Sequence, residues 1–265
     1  PYALSDSGND VGGLSASTGN SILNFGGGAI TNPATGIFVN NQYGFNGSYN
    51  TINNNNGSGV NHATTLRGIF ANVSSNGASM NLNNNTITLK SAVTTSQVSA
   101  IECSAGSSGT GNTININNNT ITGCTNDLAT TSIWYGIYNT GTPTNLNVNN
   151  NTFSNNSTKA TTVSTYLIYN TGAVSGTINM NGNNLSQAFN HTATQGGTIY
   201  YMRNNAGSLT GTLNINNNTF ASVSHALTST TAHWFIYNLA SEANTNINNN
   251  NWNNLTINSS GAFYL

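Results

Sequence analysis

The stretch 112–124, NTININNNTITGC, decides how the rest of the chain is read. Ile114 and Ile116 alternate with polar neighbours, as residues on one face of a strand do. Asn117, Asn118 and Asn119 follow, and Ile121 then stands between two threonines. Asparagine is a poor strand former, but it tolerates a left-handed backbone better than other residues that carry a side chain. The stretch reads as a strand with Ile114 and Ile116 turned to the core, a corner at 117–119, and a second strand that returns Ile121 to the core.

Nearly the same text recurs about every 30 residues. It runs LNFGGGAI (23–30), NTINNNNG (50–57), MNLNNNTI (80–87), ININNNTI (114–121), LNVNNNTF (146–153), INMNGNNL (178–185), LNINNNTF (213–220) and TNINNNNW (245–252). Aligned this way, the central apolar residues are Phe25, Ile52, Leu82, Ile116, Val148, Met180, Ile215 and Ile247. Five residues later the column reads Ile30, Gly57, Ile87, Ile121, Phe153, Leu185, Phe220, Trp252. About a dozen residues before each unit after the first stands a second motif, GIFVN (36–40), GIFAN (68–72), AIECS (100–104), GIYNT (136–140), LIYNT (167–171), YMRNN (201–205) or FIYNL (235–239).

Three short strands per repeat, with no helical period and almost no proline, describe an all-β chain wound as a parallel β-helix. The repeats give about eight coils over 20–265, after a lead-in segment 1–19, and the last coil is incomplete. Parallel crossovers favour a right-handed winding. Equivalent residues of successive coils then stack one strand spacing apart, about 4.8 Å, so corner asparagines form ladders of side-chain amides. The candidate ladder residues are Asn83, Asn85, Asn117, Asn119, Asn149, Asn151, Asn216, Asn218, Asn248 and Asn250. Gly182, and Gly26 and Gly28 in the first unit, replace asparagine where backbone conformation rules.

The combination GIYNTG (136–141) with NLNVNNNTFSNNST (145–158) resembles the Asn-rich right-handed parallel β-helix repeats of the pectate-lyase-like superfamily. More narrowly it is similar to large bacterial cell-surface and secreted proteins exported by the type IX route. That resemblance implies an extracellular or cell-surface setting and leaves function open, because the architecture serves enzymes, adhesins and filaments alike.

Composition narrows the choice. Charged residues make up 3% of the chain, and the net charge is −1, against roughly 25% charged residues in an average domain. No electrostatic basis for nucleic-acid binding exists, and no apolar run approaches the ~20 residues of a membrane helix. Enzymes of the resembled superfamily act on acidic polysaccharides, and glycoside hydrolysis needs clustered carboxylates. Asp6, Asp10, Glu102, Asp127 and Glu242 are scattered along the repeats, as are Arg67, Arg203, Lys90 and Lys159, so the expectation is no enzyme and no cofactor. His62, His191 and His225 fall after their third strands and read as polar loop residues. Cys103 and Cys124 share one repeat, as small buried residues or as a disulfide bracing that coil.

Two surface patterns remain. Phe38, Phe70, Glu102, Tyr138, Tyr169, Arg203, Tyr237 and Tyr264 follow the inward residue of the first strand and form an outer aromatic column. Such a stripe serves as a sugar-stacking track or as a packing surface. Tyr135, Tyr166, Tyr200 and Trp234 add to its density. The threonine pairs Thr86/Thr88 and Thr120/Thr122 resemble an ice-binding array, which degrades in later repeats.

Finally, GAFYL (261–265) is a first strand without its partners, and SILNFGGGAI (21–30) supplies later strands without a first. One partial coil completes the other if copies stack head to tail, or flanking repeats of a longer chain complete both. The expected function is therefore a structural extracellular β-solenoid. A glycan-binding adhesin is the alternative, and ice binding a lesser one.

Overall fold

The computed structural model describes residues 6–28, 31–72, 77–107, 111–187, 189–191 and 197–265. Its strands stack in parallel into a β-solenoid of about seven turns, slightly fewer than the text repeats suggest. Two sheets of eight strands run the length of the molecule. The first begins at Ala34–Val39 and ends at Phe263–Tyr264, and the second begins at Asp6–Val11 and ends at Asn244–Asn248. A third face carries five strands from Ser21–Leu23 to Thr152–Ser154, and single bridges through Asn184, Thr219 and Asn251 continue it. No helix among the described residues is long and apolar enough to cross a membrane.

A fourth face stands where the chain after the third strand reads as polar loop. It stacks Lys90–Ser91, Thr125–Asn126, Asn156–Thr158 and Phe189–His191. Its inward column, His62, Ser91, Asn126 and Thr158, is polar and fully buried. No apolar alternation marks these strands, which is why they read as loop.

The first two units also shift. Ile22 and Ile52 pair with Ile87 on the third face, so Ile52 is not a corner centre. Gly47 takes that place, because the ring of Phe45 fills the space a side chain there would need. Ile30 lies outside the described residues. Asp6–Val11, within the segment read as a lead-in, is the terminal strand of the second sheet, held to Gln42–Gly47 through two register shifts.

The corner itself follows the reading of 112–124. Ile114, Ile116 and Ile121 are fully buried, and Asn118 adopts φ 57°. Asn84, Asn150, Gly182, Asn217 and Asn249 occupy the same left-handed position. Gly26 and Gly28 instead lie in the turn after Ser21–Leu23, beside Asn24 at φ 55°. In the earliest corner the left-handed residue is Tyr49, at φ 62°. A residue other than Gly or Asn is strained there by roughly 1–2 kcal/mol. Tyr49→Asn should therefore stabilise the protein by about 1 kcal/mol, a rise of about 2 °C in melting temperature. Calorimetry checks it.

The core tapers in a complementary way. Gly36, Gly68, Ala100, Gly136, Leu167, Tyr201 and Phe235 occupy the position at which neighbouring strands of the first sheet skip a residue in their pairing. A Cβ on Gly68 would come within 2.9 Å of Ile87, and one on Gly136 within 2.4 Å of the Phe153 ring. Where the first-sheet residue is large, the core becomes aromatic: Tyr201 stacks on Phe235 at 4.4 Å, and Phe220 meets Phe235 edge-on.

Candidate functional site

The corners carry two ladders of opposite sense. In the buried one, Asn50, Asn85, Asn119, Asn151, Asn183, Asn218 and Asn250, each Oδ1 accepts the backbone N–H of the preceding rung at 2.8–2.9 Å. The same Oδ1 accepts its Nδ2–H at 2.9–3.1 Å. Asn20 donates to Asn50 Oδ1 in the same way and extends the ladder by a rung. In the second ladder, Asn83, Asn117, Asn149, Asn181, Asn216 and Asn248, each backbone N–H donates to the Oδ1 of the rung before, at 2.8 Å. Asn50, Asn181 and Asn183 fill positions missing from the sequence-derived set.

Two further ladders escaped the sequence reading. Asn81, Asn115, Asn147, Asn179, Asn214 and Asn246 bond side chain to side chain along the outside of the second sheet at 2.8–2.9 Å. Asn139, Asn170, Asn204 and Asn238 form another on the first sheet. Each Nδ2 in that run donates to the next Oδ1 toward the C-terminal end, and the Glu242 carboxylate receives the last of these bonds from Asn204 and Asn238. The recurring N of the GIYN motif was its signal.

The aromatic surface is two columns wide. Because the pairing skips one residue in each first-sheet strand, residues three apart both face outward. One column is Phe38, Phe70, Glu102, Tyr138, Tyr169, Arg203 and Tyr237. The other is Arg67, Ser99, Tyr135, Tyr166, Tyr200, Trp234 and Tyr264. Tyr264 thus leaves the column the sequence assigned it. The last strand pairs Phe263 with His233, which seats Tyr264 on Trp234 at 3.8 Å.

Within this surface the tyrosines cover one another. Tyr135–Tyr138 and Tyr166–Tyr169 stack at 4.4 Å with tilts of 9° and 11°. Tyr138–Tyr169 and Tyr166–Tyr200 stack across coils at 5.3 and 5.2 Å. Arg203 is inserted among four rings and lies 4.4 Å from the Tyr200 centroid, bonded to the Tyr166 hydroxyl at 3.2 Å. Faces spent on faces are withdrawn from a sugar, which stacks on an open ring face. Burial raises the Tyr135, Tyr169 and Tyr200 hydroxyl pKa values, so these groups stay neutral. Phe38 is the open ring at the other end, 58% exposed.

The remaining chemistry is dispersed. Arg67 pairs with Glu102, which also accepts from Gln97. Asp10 accepts from Asn46 and from the Gly13 N–H. Among the described residues no three His, Cys, Asp or Glu side chains come together in a metal-binding group. Both thiols are free and buried, Cys103 on the first sheet and Cys124 between the third and fourth faces, and the disulfide suggested by their spacing is not formed. Burial pushes each thiol up to about 12. Cys124 stands in an asparagine's place: its sulfur accepts the Leu89 N–H and donates to the Ile87 carbonyl, as the Asn156 side chain does for Cys124 N–H and Ile121 one coil later.

The histidines are not loop residues. His62 is fully buried, its Nδ1 against Gly27. His225, also buried, meets His233 at 3.1 Å, a residue the sequence reading passed over. The side chain of His191 lies outside the described residues. The threonine hydroxyls of the third face are partly spent on one another, with Thr88 bonded to the Thr122 carbonyl and Thr122 to Ser154. No protein-family model, curated protein or solved structure matches the chain.

Proposed function

We propose that the chain is a structural rod, a filament subunit or surface stalk in an extracellular setting, which stacks end to end on a second copy or on flanking repeats. The observation that carries this reading is the polarity of the buried ladder. Its outermost acceptor is Asn20 Oδ1 at one end, and its outermost rung is Asn250, whose backbone N–H is the next donor in line at the other. The ends are complementary head to tail and mismatched head to head. Asp6 and Asp10, on the bulged N-terminal strand, add like-charge repulsion to a head-to-head contact. A charge-poor surface and the resemblance to cell-surface repeats support the setting.

Sedimentation velocity over a wide concentration range is the test. The expected result is a series of head-to-tail oligomers that Asn250→Leu shortens. A single monomeric species at every concentration would overturn self-assembly and leave only the flanking-repeat form of the proposal. A second reading, glycan binding, narrows to the open ring of Phe38 with its neighbour Phe70 at 5.6 Å.

A further inference from the structure

Two imidazoles are buried against each other near the C-terminal end of the solenoid. His225 Nδ1 lies 3.1 Å from His233 Nε2. His233 Nδ1 lies 3.4 Å from the Tyr201 hydroxyl, and His225 Nε2 lies 3.3 Å from Ser229 Oγ. Ser229 in turn donates to Ser259 Oγ at 3.3 Å. One set of neutral tautomers satisfies the whole chain. Tyr201 donates to His233, His233 to His225, His225 to Ser229, and Ser229 to Ser259. The chain ties the strand Thr198–Asn204 through Ala232–Asn238 and Ser224–Ser229 to Thr256–Ser259. It therefore spans the last coils.

A second proton on the pair sets N–H against N–H at 3.1 Å, and even one places an imidazolium among buried groups. We propose that the His225–His233 pair is an acid-sensitive latch, which holds residues 224–265 on the solenoid at neutral pH and releases them as the pH falls.

The surrounding groups point the same way. Tyr201, fully buried, has its hydroxyl pKa raised by desolvation and stays neutral. Ser229 and Ser259 do not titrate. The neighbouring strand is Phe189–His191, and the His191 side chain lies outside the described residues. Arg203 lies in the outer aromatic surface, and Glu242 is taken up by Asn204 and Asn238. Desolvation lowers both histidines in the folded state, His233 to about 3. With folded values below the unfolded value of roughly 6.5, their contribution is present above that pH and is lost progressively below it. His233 alone raises the opening equilibrium by about tenfold per pH unit below that value, and His225 adds to it in the same direction.

Hydrogen exchange of the intact protein at several pH values between 7.5 and 4.5, corrected for intrinsic rates, reads this directly. Amides of 224–265 should lose protection by about tenfold or more per pH unit below roughly 6.5, while those of 113–158 keep theirs. His225→Gln with His233→Gln should remove that dependence. Protection lost equally in all coils, protection retained at 224–265 down to pH 4.5, or unchanged pH dependence in the double variant would each overturn the latch. The wild-type profile decides even if the variants fold poorly.

Discussion

Asn119→Ala should lower the unfolding free energy by about 4 kcal/mol, measured by denaturant titration. The Asn119 side chain receives both the backbone N–H and the Nδ2–H of Asn85, and it donates to the Leu82 carbonyl and to Asn151. All of this lies in a fully buried column. Alanine leaves at least two of those groups without a partner or water, at roughly 1–3 kcal/mol each. Asn115→Ala is the internal control. That asparagine belongs to the outer ladder, bonded to Asn81 at 2.9 Å where solvent reaches it, and its loss should cost less than about 1 kcal/mol. Equal costs at the two positions would mean that the buried ladder does not hold the coils in register.

The second large effect belongs to the core. Gly136→Leu should destabilise the protein by about 3 kcal/mol through overpacking, because a Cβ there would meet the Phe153 ring at 2.4 Å and the Leu167 carbonyl at 2.5 Å. Phe153→Leu alone should cost about 1.5 kcal/mol. Together they should cost less than the sum, because the pair copies the next coil, where Leu167 takes the glycine's place and Leu185 that of Phe153. The Leu167 carbonyl keeps the recovery partial. A double-mutant cycle measures the coupling, and strict additivity would show that the two columns do not share one space.

Much of this was legible in the chain because its asparagines do one physical job at one place. A left-handed corner and a side-chain ladder both demand Asn-Asn-Asn, so 117–119 and its repeats announce the corner and, with it, the flanking core columns. The register failed where that text is missing. The earliest corner reads Ser48, Tyr49, Asn50, with Ser48 Oγ accepting the Asn83 N–H in place of an amide oxygen. The run after Ile52 belongs to the turn out of the third face. The fourth face was invisible because Ser91, Asn126 and Thr158 are polar residues buried by the neighbouring coils rather than by an apolar pattern. The doubled aromatic surface hinged on a skipped residue in each strand, which alternation alone does not reveal. The His225–His233 pair joins residues on two different strands, and only the winding of the coil brings them together.

The most direct test of the central claim, an axial rod continued by its own ladders, is electron microscopy of the concentrated protein. Straight rods are expected that grow in steps of roughly 34 Å, from about seven turns at ~4.8 Å each, with the ~4.8 Å repeat running along the rod axis across every junction. Discrete particles of a single size at all concentrations, or rods whose strands lie parallel to the axis, would contradict it.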